Sequence, residues 1–588
     1  MGQFIKFAFA SCLGIFLFIV AAFGLLALVG LSSGGETKIK IKANSVLELN
    51  FDKVIPELTD NVQKDPFDLE QQKVVGLHDM IKSIRSAADD KNIKGIIIYP
   101  EGGVGGAAAS EAMREALKDF KDSGKFIYSY ATFYSQNNYY LASTADSVFI
   151  HPMGFVDFRG FAASIPFLKE MLDKVGVNMK VFYAGDFKSA TEPLRRTNIS
   201  EPNRRQLREY LNEVYDNVLT NISDSRSISK EQIHKAADNL ELNNSESAVN
   251  LGFVDRIIYR DQLMDAVKER LGLDDDDKVR RVSINSYFGS IDSGIDFGAK
   301  DKIAVLYAEG DIIDGSGEPG QIGSQEYVKM VEKLRKDDKV KGIVLRVNSG
   351  GGSALSSENI WRELKLAQAE GKKIVVSMGN YAASGGYYIA CAADSIFAEP
   401  QTLTGSIGVF NIFPETKVLF NDKLGITYDT VATAKYAGAF NPAVGLSEKE
   451  GQFFQNFVDE LYERFLKRVG DARGMSRDEA HAVAQGRVWT GSKALELGLV
   501  DKLGDMEDAI QSVATLTGLE KYRLVTYPKV KDPIQQLIED ITKQGKEDDI
   551  IVKAMTKELR AFGIDYEMIQ DVKATEFPQY KMPYKFNF

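Results

Sequence analysis

The chain of 588 residues is poor in the residue types that most often carry catalysis or metal binding, with only two cysteines and four histidines. Cys12 and Cys391 lie far apart, so no disulfide framework is expected, and no metal-ligand spacing occurs. We expect no metal and no other cofactor. The formal net charge of −11 argues against nucleic acid as the main partner.

One long apolar run, Phe7 to Leu31, contains no charged residue. As a helix it would be roughly 37 Å long, enough to cross a hydrocarbon core of about 30 Å. A cleaved signal peptide has a shorter apolar region of about 7–15 residues, so the run favours an uncleaved anchor. Lysines flank both sides, and their distribution slightly favours a cytoplasmic body.

The remainder of the chain is an internal duplication with a period of about 247 residues. Tyr139–Phe149 matches Tyr387–Phe397, and Arg226–His234 matches Arg473–His481. Each half alternates short apolar strands with amphipathic helices. This alternation predicts two tandem α/β domains with largely parallel sheets.

The duplication and the composition predict five segments of chain. They are an anchor with its linker (1–44), a first repeat (45–273), a linker (274–300), a second repeat (301–527) and a C-terminal extension (528–588). The linker between the repeats opens with four aspartates and continues with a stretch rich in Gly and Ser. This composition indicates a solvated linker rather than a calcium site.

Ser384 occupies a predicted turn between an apolar strand and a helix. Alanine precedes it and two glycines follow, which leaves the backbone bare at a helix N-terminus. Such a turn suits a nucleophile beside an oxyanion site, or else it lets two elements pack closely. In the first half Gln136, Asn137 and Asn138 replace Ser384 and both glycines. The second half alone therefore keeps the open backbone site.

Lys188 shows the opposite asymmetry, because Ala437 takes its place in the second half. If duplication produced a single composite site, each half would keep only the residue that it contributes, here a lysine in one half and a serine in the other. The alternative is that Lys188 is one surface lysine among many. No histidine has a convincing Asp partner, so a Ser-His-Asp triad is not expected. Lysine can act as the base if it is neutral, which requires a pKa far below about 10.4. Burial between the halves would supply that shift.

Two further motifs of the second half accompany Ser384. Ser349-Gly-Gly-Gly-Ser353 follows a predicted strand, and its backbone N–H groups suit a second oxyanion donor. The equivalent loop of the first half is also rich in glycine, so some of these glycines serve the fold and not an oxyanion site. Thr404-Gly-Ser-Ile-Gly408 supplies a second hydroxyl, that of Ser406.

These motifs together resemble the signal peptide peptidase A family in its long, membrane-anchored, duplicated form. The resemblance extends from the anchor to about residue 525 and is carried by Ala383–Tyr387, Asn348–Gly352, Thr404–Gly408 and Gly185–Pro193. It implies a serine endopeptidase with a Ser/Lys dyad on two tandem ClpP/crotonase-like domains.

The resemblance also implies a role for each site residue. Ser384 would be the nucleophile, Lys188 the general base and Ser406 the residue that orients the lysine. The N–H groups of Gly385 and Gly351 would be the oxyanion donors. The family usually has Pro-Gly-Gly where this chain has Gly350-Gly-Gly352, so the loop is less constrained here.

The substrates, assembly and location implied by the family complete these expectations. The substrates would be cleaved signal peptides and other apolar peptides. The protein would be a homotetramer in the bacterial inner membrane, with one membrane pass and its catalytic body on the periplasmic side. The charge pattern favours a cytoplasmic body, whereas the family resemblance implies a periplasmic one, and we adopt the orientation that the family implies. Two alternatives are a crotonase-like enzyme acting on acyl-CoA and an inactive membrane scaffold.

Overall fold

The computed structural model describes most of both repeats, namely residues 40–51, 55–62, 73–274, 276–291, 298–530 and 579–581. The apolar segment Phe7–Leu31 lies outside the described residues, as does most of the extension 528–588. Among the helices that are described, none has both the length and the apolar character of a membrane span.

The first half of the chain builds a six-stranded parallel sheet in the order β6-β4-β3-β2-β1-β7. Its inner strands are rich in apolar residues, as expected for a sheet covered on both faces. The strands of this half are β1 (Ser45–Asn50), β2 (Ile93–Tyr99), β3 (Phe126–Ser135), β4 (Ser147–Asp157), β5 (Asn178–Ala184), β6 (Arg256–Ile257) and β7 (Arg280–Ser283).

Ten helices of the described part of this half cover the sheet or extend from it. They are α1 (Leu77–Asp89), α2 (Ala107–Asp122), α3 (Gln136–Ala142), α4 (Lys169–Val175), α5 (Glu192–Arg195), α6 (Glu201–Arg226), α7 (Lys230–Asp238), α8 (Ser245–Asn250), α9 (Arg260–Leu271) and α10 (Ile284–Ser290). β7 and α10 lie inside the predicted linker 274–300, and β7 pairs with β1. The predicted linker is therefore not irregular over residues 280–290, because β7 extends the first sheet and α10 follows it.

The second half builds a mainly parallel sheet in the order β17-β15-β13-β11-β8-β19, in which β14 also pairs with β13 and β18 pairs with β14. Its strands are β8 (Lys302–Glu309), β11 (Val340–Ser349), β13 (Lys373–Ala383), β14 (Ser395–Ala398), β15 (Leu403–Gly405), β17 (Val488–Thr490), β18 (Lys502–Leu503) and β19 (Arg523–Tyr527). The helices are α11 (Ser324–Lys336), α12 (Ala354–Ala369), α13 (Gly385–Ala390), α14 (Glu448–Arg473), α15 (Arg477–Val483), α16 (Gly491–Glu496) and α17 (Met506–Thr517).

A third sheet joins the two halves in the order β10-β9-β12-β20-β16-β5. It contains β9 (Asp311–Ile313), β10 (Gln321–Gly323), β12 (Gly351–Ser353), β16 (Val409–Glu415) and β20 (Gln579–Lys581). β5 of the first half runs antiparallel to β16 of the second, with Ala184 opposite Val409. This pairing carries the chain that follows β5 into the second half.

Candidate active site

Paired strand ends bring Ser384 and Ser406 together. β13 ends at Ala383 and β15 ends at Gly405, and these two residues are register partners. Each serine directly follows its strand. The Ser384 N–H donates to the Gly405 carbonyl at 2.8 Å, and the Ser406 N–H donates to the Arg487 carbonyl at 2.7 Å. The two hydroxyls therefore leave the sheet at the same edge.

Both serines have a backbone conformation that is uncommon for a residue with a side chain. Their φ angles are 55° for Ser384 and 50° for Ser406. Such a conformation costs on the order of 1–3 kcal/mol and persists only where the surroundings hold it, often at functional sites. Here the backbone hydrogen bonds from both serine N–H groups hold it.

The second glycine after Ser384, Gly386, is required by close packing. A Cβ on Gly386 would lie 2.7 Å from the carbonyl oxygen of Ser349, so no larger residue fits there without a backbone shift. The sequence allowed two interpretations of this motif, a nucleophile beside an oxyanion site or close packing of two elements. Close packing explains Gly386. It does not explain the hydroxyl of Ser384, which is buried at the helix start.

Lys188 reaches the two serines because β5 pairs with β16. Ala184 and Val409 face each other, so the chain after one strand and the chain before the other run side by side. The Lys188 N–H donates to the Gly185 carbonyl at 3.1 Å, which forms a tight turn. Gly486 packs against this turn, and a Cβ there would lie 2.6 Å from the Lys188 Cβ.

The lysine amine lies among three oxygen atoms. Lys188 Nζ is 2.8 Å from Ser384 Oγ, 3.0 Å from the Ser406 carbonyl oxygen and 3.1 Å from Ser406 Oγ. Lys188 is only 1% exposed, and both serines are fully buried. A neutral amine has two N–H donors and one lone pair. Two donors for Ser406 and a lone pair for the hydroxyl of Ser384 match these contacts.

Burial lowers the pKa of Lys188 well below its ordinary value. The physical cause is desolvation, which penalises the charged ammonium. The neutral, proton-accepting form of the amine is therefore favoured over what an exposed lysine would show. The nearest acidic hydrogen it can take is that of Ser384, whose Oγ is 2.8 Å away.

The two predicted oxyanion donors differ in their present partners. Gly385 is the first residue of α13, so its N–H has no acceptor within the helix. The Gly351 N–H donates to Ser349 Oγ at 3.1 Å. It would have to leave this hydroxyl in order to reach a bound oxyanion.

Two repeat-equivalent histidines form hydrogen bonds with tyrosine hydroxyls, as expected for structural residues. His234 Nδ1 and Tyr215 Oη are 3.2 Å apart, and the repeat-equivalent His481 Nδ1 is 3.0 Å from Tyr462 Oη. His78 is half-buried, and desolvation lowers its pKa. Within the parts of the chain that the structure describes, no group of three or more His, Cys, Asp or Glu side chains could hold a metal ion.

Sequence reasoning missed the segment Gln485–Val488, which lies between Lys188 and Ser406. The Gln485 carbonyl accepts from the Phe187 N–H at 2.9 Å, and the Arg487 carbonyl accepts from the Ser406 N–H at 2.7 Å. Its one available signal was Gly486, whose φ of 75° favours glycine. The hydrogen bonds are made by backbone atoms, which leave no trace in residue types.

Comparison with known proteins finds one family in both halves of the chain. The model of peptidase family S49 matches residues 119–274 and 366–520. The chain is 34% identical over 511 residues to Protease 4 of Haemophilus influenzae, covering 84% of this chain and 82% of that protein. It is 37% identical to Protease 4 of Salmonella typhi, covering 79% and 76%. It is 32% identical to the chloroplastic serine protease SPPA of Arabidopsis thaliana, covering 79% and 69%.

Proposed function

The chain belongs to peptidase family S49 and is a serine-type protease; from this premise we propose that Ser384 and Lys188 are its catalytic dyad and that it degrades signal peptides after their release from preproteins. The observation that carries the dyad is the distance of 2.8 Å between Lys188 Nζ and Ser384 Oγ in a buried site. The lysine comes from the first half and the serine from the second.

In the proposed mechanism, neutral Lys188 takes the proton of Ser384 Oγ as this oxygen attacks the peptide carbonyl. The N–H groups of Gly385 and Gly351 stabilise the oxyanion, the latter after it has left Ser349 Oγ. The lysine ammonium then protonates the leaving amine. A water molecule, deprotonated by the same lysine, then attacks the acyl-enzyme, and the ammonium returns this proton to Ser384 Oγ as the acid product leaves. Ser406 holds the amine in place through both steps.

The third sheet supports a peptide as the substrate. β20 lies antiparallel to β12, with Lys581 opposite Gly351, and antiparallel to β16, with Gln579 opposite Phe410. An extended chain thus fits between the proposed oxyanion loop and the strand that follows Ser406. We propose that a substrate peptide binds the same edges by strand addition, in which main-chain hydrogen bonds provide affinity. An acyl-CoA would not use these strand edges.

The fold and the assembly are further parts of the proposal. We propose that residues 45–273 and 301–527 are each a ClpP/crotonase-like domain, which the two parallel sheets support. We also propose a homotetramer. Its support is the segment between β16 and α14, which exposes apolar side chains to solvent: Leu424 is 57% exposed, Val431 101% and Phe440 41%. Such side chains suit contact with another copy.

Membrane anchoring rests on the sequence. The run Phe7–Leu31 is long enough to span a bilayer, and cleaved signal peptides are themselves apolar segments left in the membrane. We therefore propose an enzyme of the bacterial inner membrane, anchored by one helix and with its catalytic body on the periplasmic side.

The test of this function uses the full-length chain in detergent micelles. A leucine-rich peptide with the composition of a signal peptide should be cleaved, a highly charged peptide of equal length should be cleaved far more slowly, and an acyl-CoA thioester should stay intact. Ser384→Ala should abolish the cleavage. Turnover of the thioester with an intact peptide would support the acyl-CoA alternative, and cleavage by Ser384→Ala at the full rate would refute the dyad.

A further inference from the structure

The turn that carries Lys188 belongs to the first half, but its position relative to Ser384 depends on contacts across 196 residues of sequence. The chain after Lys188 is unusually buried for polar residues: Ser189 and Glu192 are each 1% exposed. Two amide side chains of α6 reach this turn, Asn203 with 0% exposure and Gln206 with 2%. A buried polar group must be hydrogen-bonded to be tolerated, so these contacts define a specific geometry.

The amide nitrogen of Gln206 contacts both sides of Lys188. Gln206 Nε2 is 3.2 Å from the carbonyl oxygen of Phe187, the residue before the lysine. It is 3.1 Å from the hydroxyl oxygen of Ser189, the residue after it. One side chain therefore contacts the backbone carbonyl before the lysine and the side-chain hydroxyl after it.

The amide oxygen of Gln206 contacts the opposite wall of the site. It accepts from the Val488 N–H at 3.2 Å. Val488 follows Arg487, whose carbonyl accepts from the Ser406 N–H at 2.7 Å. Gln206 thus connects the Lys188 turn to the segment that positions Ser406, so the lysine and its two serines are held in one network.

The orientation of the Gln206 amide is set by its neighbours. Its nitrogen also lies 3.0 Å from Asn203 Oδ1. Asn203 Nδ2 donates to the Glu192 carboxylate at 2.9 Å, and the Ser200 N–H donates to the same carboxylate oxygen at 3.2 Å. With Glu192 accepting, Asn203 presents its oxygen to Gln206, which leaves the Gln206 oxygen for Val488.

We propose that Gln206 is a positioning residue of the dyad, which holds Lys188 Nζ within hydrogen-bond reach of Ser384 and keeps water away from the amine. This inference rests on the proposed function, in which Lys188 is the base. The lysine side chain has four rotatable bonds, so the place where its backbone is fixed decides where the amine can lie. A displacement of about 1 Å from a reactive geometry can cost on the order of 100-fold in rate.

The test replaces Gln206 by methionine, which has a similar length but offers neither the donor nor the acceptor. For Gln206→Met we expect kcat to fall by about 10- to 100-fold while KM changes little, because Gln206 is not proposed to touch substrate. The acid limb of the pH profile of kcat/KM should move to higher pH, since water that reaches Lys188 raises its pKa towards the ordinary value.

The matched control is Asn221→Leu on the same helix. Asn221 Nδ2 bonds to Tyr140 Oη at 3.1 Å and to Asn217 Oδ1 at 2.9 Å, away from the Lys188 turn. It should lose comparable stability but keep the wild-type kcat and pH profile. If Gln206→Met fails to fold, Gln206→Asn keeps the polarity but is too short to bridge Phe187 and Val488, and the same loss of kcat is expected.

Two failures can be told apart by assaying Lys188→Met in parallel. If Lys188→Met is inactive while Gln206→Met keeps the wild-type kcat and pH profile, the positioning role is refuted and the dyad stands. If Lys188→Met is fully active, the proposed dyad itself is refuted. A loss of kcat in the Asn221→Leu control equal to that of Gln206→Met would also overturn the inference, because general loosening of α6 would then explain both.

Discussion

Replacing Lys188 by methionine should separate stability from activity, and the effect on stability should depend on pH. Burial keeps the pKa of Lys188 well below its ordinary value in the folded protein, whereas the unfolded chain exposes the amine to water. At pH values below about 10.4 and above the lowered folded pKa, the unfolded state therefore binds one more proton than the folded state. The wild-type protein loses stability as the pH falls through this window.

The size of this effect follows from proton linkage. One extra proton in the unfolded state changes the free energy of unfolding by about 1.4 kcal/mol per pH unit. Lys188→Met lacks this proton, so its stability relative to wild type should rise by about that amount for each unit of lower pH. Loss of the amine also leaves the Ser406 carbonyl without this donor, at a cost of about 1–3 kcal/mol that does not depend on pH. The lost hydrogen bond shifts the free energy of unfolding by a constant, so only the slope of the difference between variant and wild type against pH reports the protonation of Lys188.

The assay is urea unfolding of both proteins at about pH 8, 9 and 10, with peptide cleavage measured in parallel. Activity of Lys188→Met should fall by about 10²- to 10⁴-fold, the range of a lost general base. The control is Lys180→Met on β5, whose side chain is 44% exposed and which should keep the wild-type activity. Parallel stability curves for wild type and Lys188→Met would show that the buried lysine is charged and would refute the reasoning.

Three further predictions follow from neighbouring groups. Ser406→Ala removes the hydroxyl at 3.1 Å from Lys188 but keeps the carbonyl contact at 3.0 Å, so kcat/KM should fall by about 10- to 100-fold; unchanged kinetics would exclude its orienting role. Burial raises the pKa of Glu399 to about 8, so the folded protein retains a proton that the unfolded chain has lost above about pH 4.5. Wild-type stability should therefore fall as pH rises towards 8, and Glu399→Gln should flatten this dependence in thermal unfolding at about pH 5.5 and 8.5; equal slopes would contradict it. Deleting residues 579–588 removes β20 from the edges of β12 and β16, so KM for a peptide should fall with little change in kcat; a raised KM would mean that the strand helps to form the site.

The regular elements were predictable because their causes are local. β2 and β13 are apolar runs, and the alternation of strands and helices indicated parallel sheets correctly. β7 was missed because its sequence Arg-Arg-Val-Ser has no apolar run, and its structure depends on pairing with β1, more than 200 residues earlier.

The candidate site was partly predictable, because the duplication made two sequences available in one. Comparison of the halves paired Ser384 with Lys188, and the structure brings their side chains together. The contact of the Gly351 N–H with Ser349 Oγ and the bridge made by Gln206 were not predictable. Both depend on where backbone atoms lie in three dimensions. Residue types and their spacing carry no information about those positions.

The central claim, that Ser384 is reactive only beside Lys188, is tested most directly by covalent labelling. The full-length protein and Lys188→Met are incubated with a serine-reactive fluorophosphonate, and the modified peptide is identified by mass spectrometry. We predict an adduct on Ser384 in the wild-type protein and none on Ser384 in the variant, with both proteins folded by circular dichroism. Labelling of Ser384 at the same rate in both proteins, or of another serine in the wild type, would contradict the account.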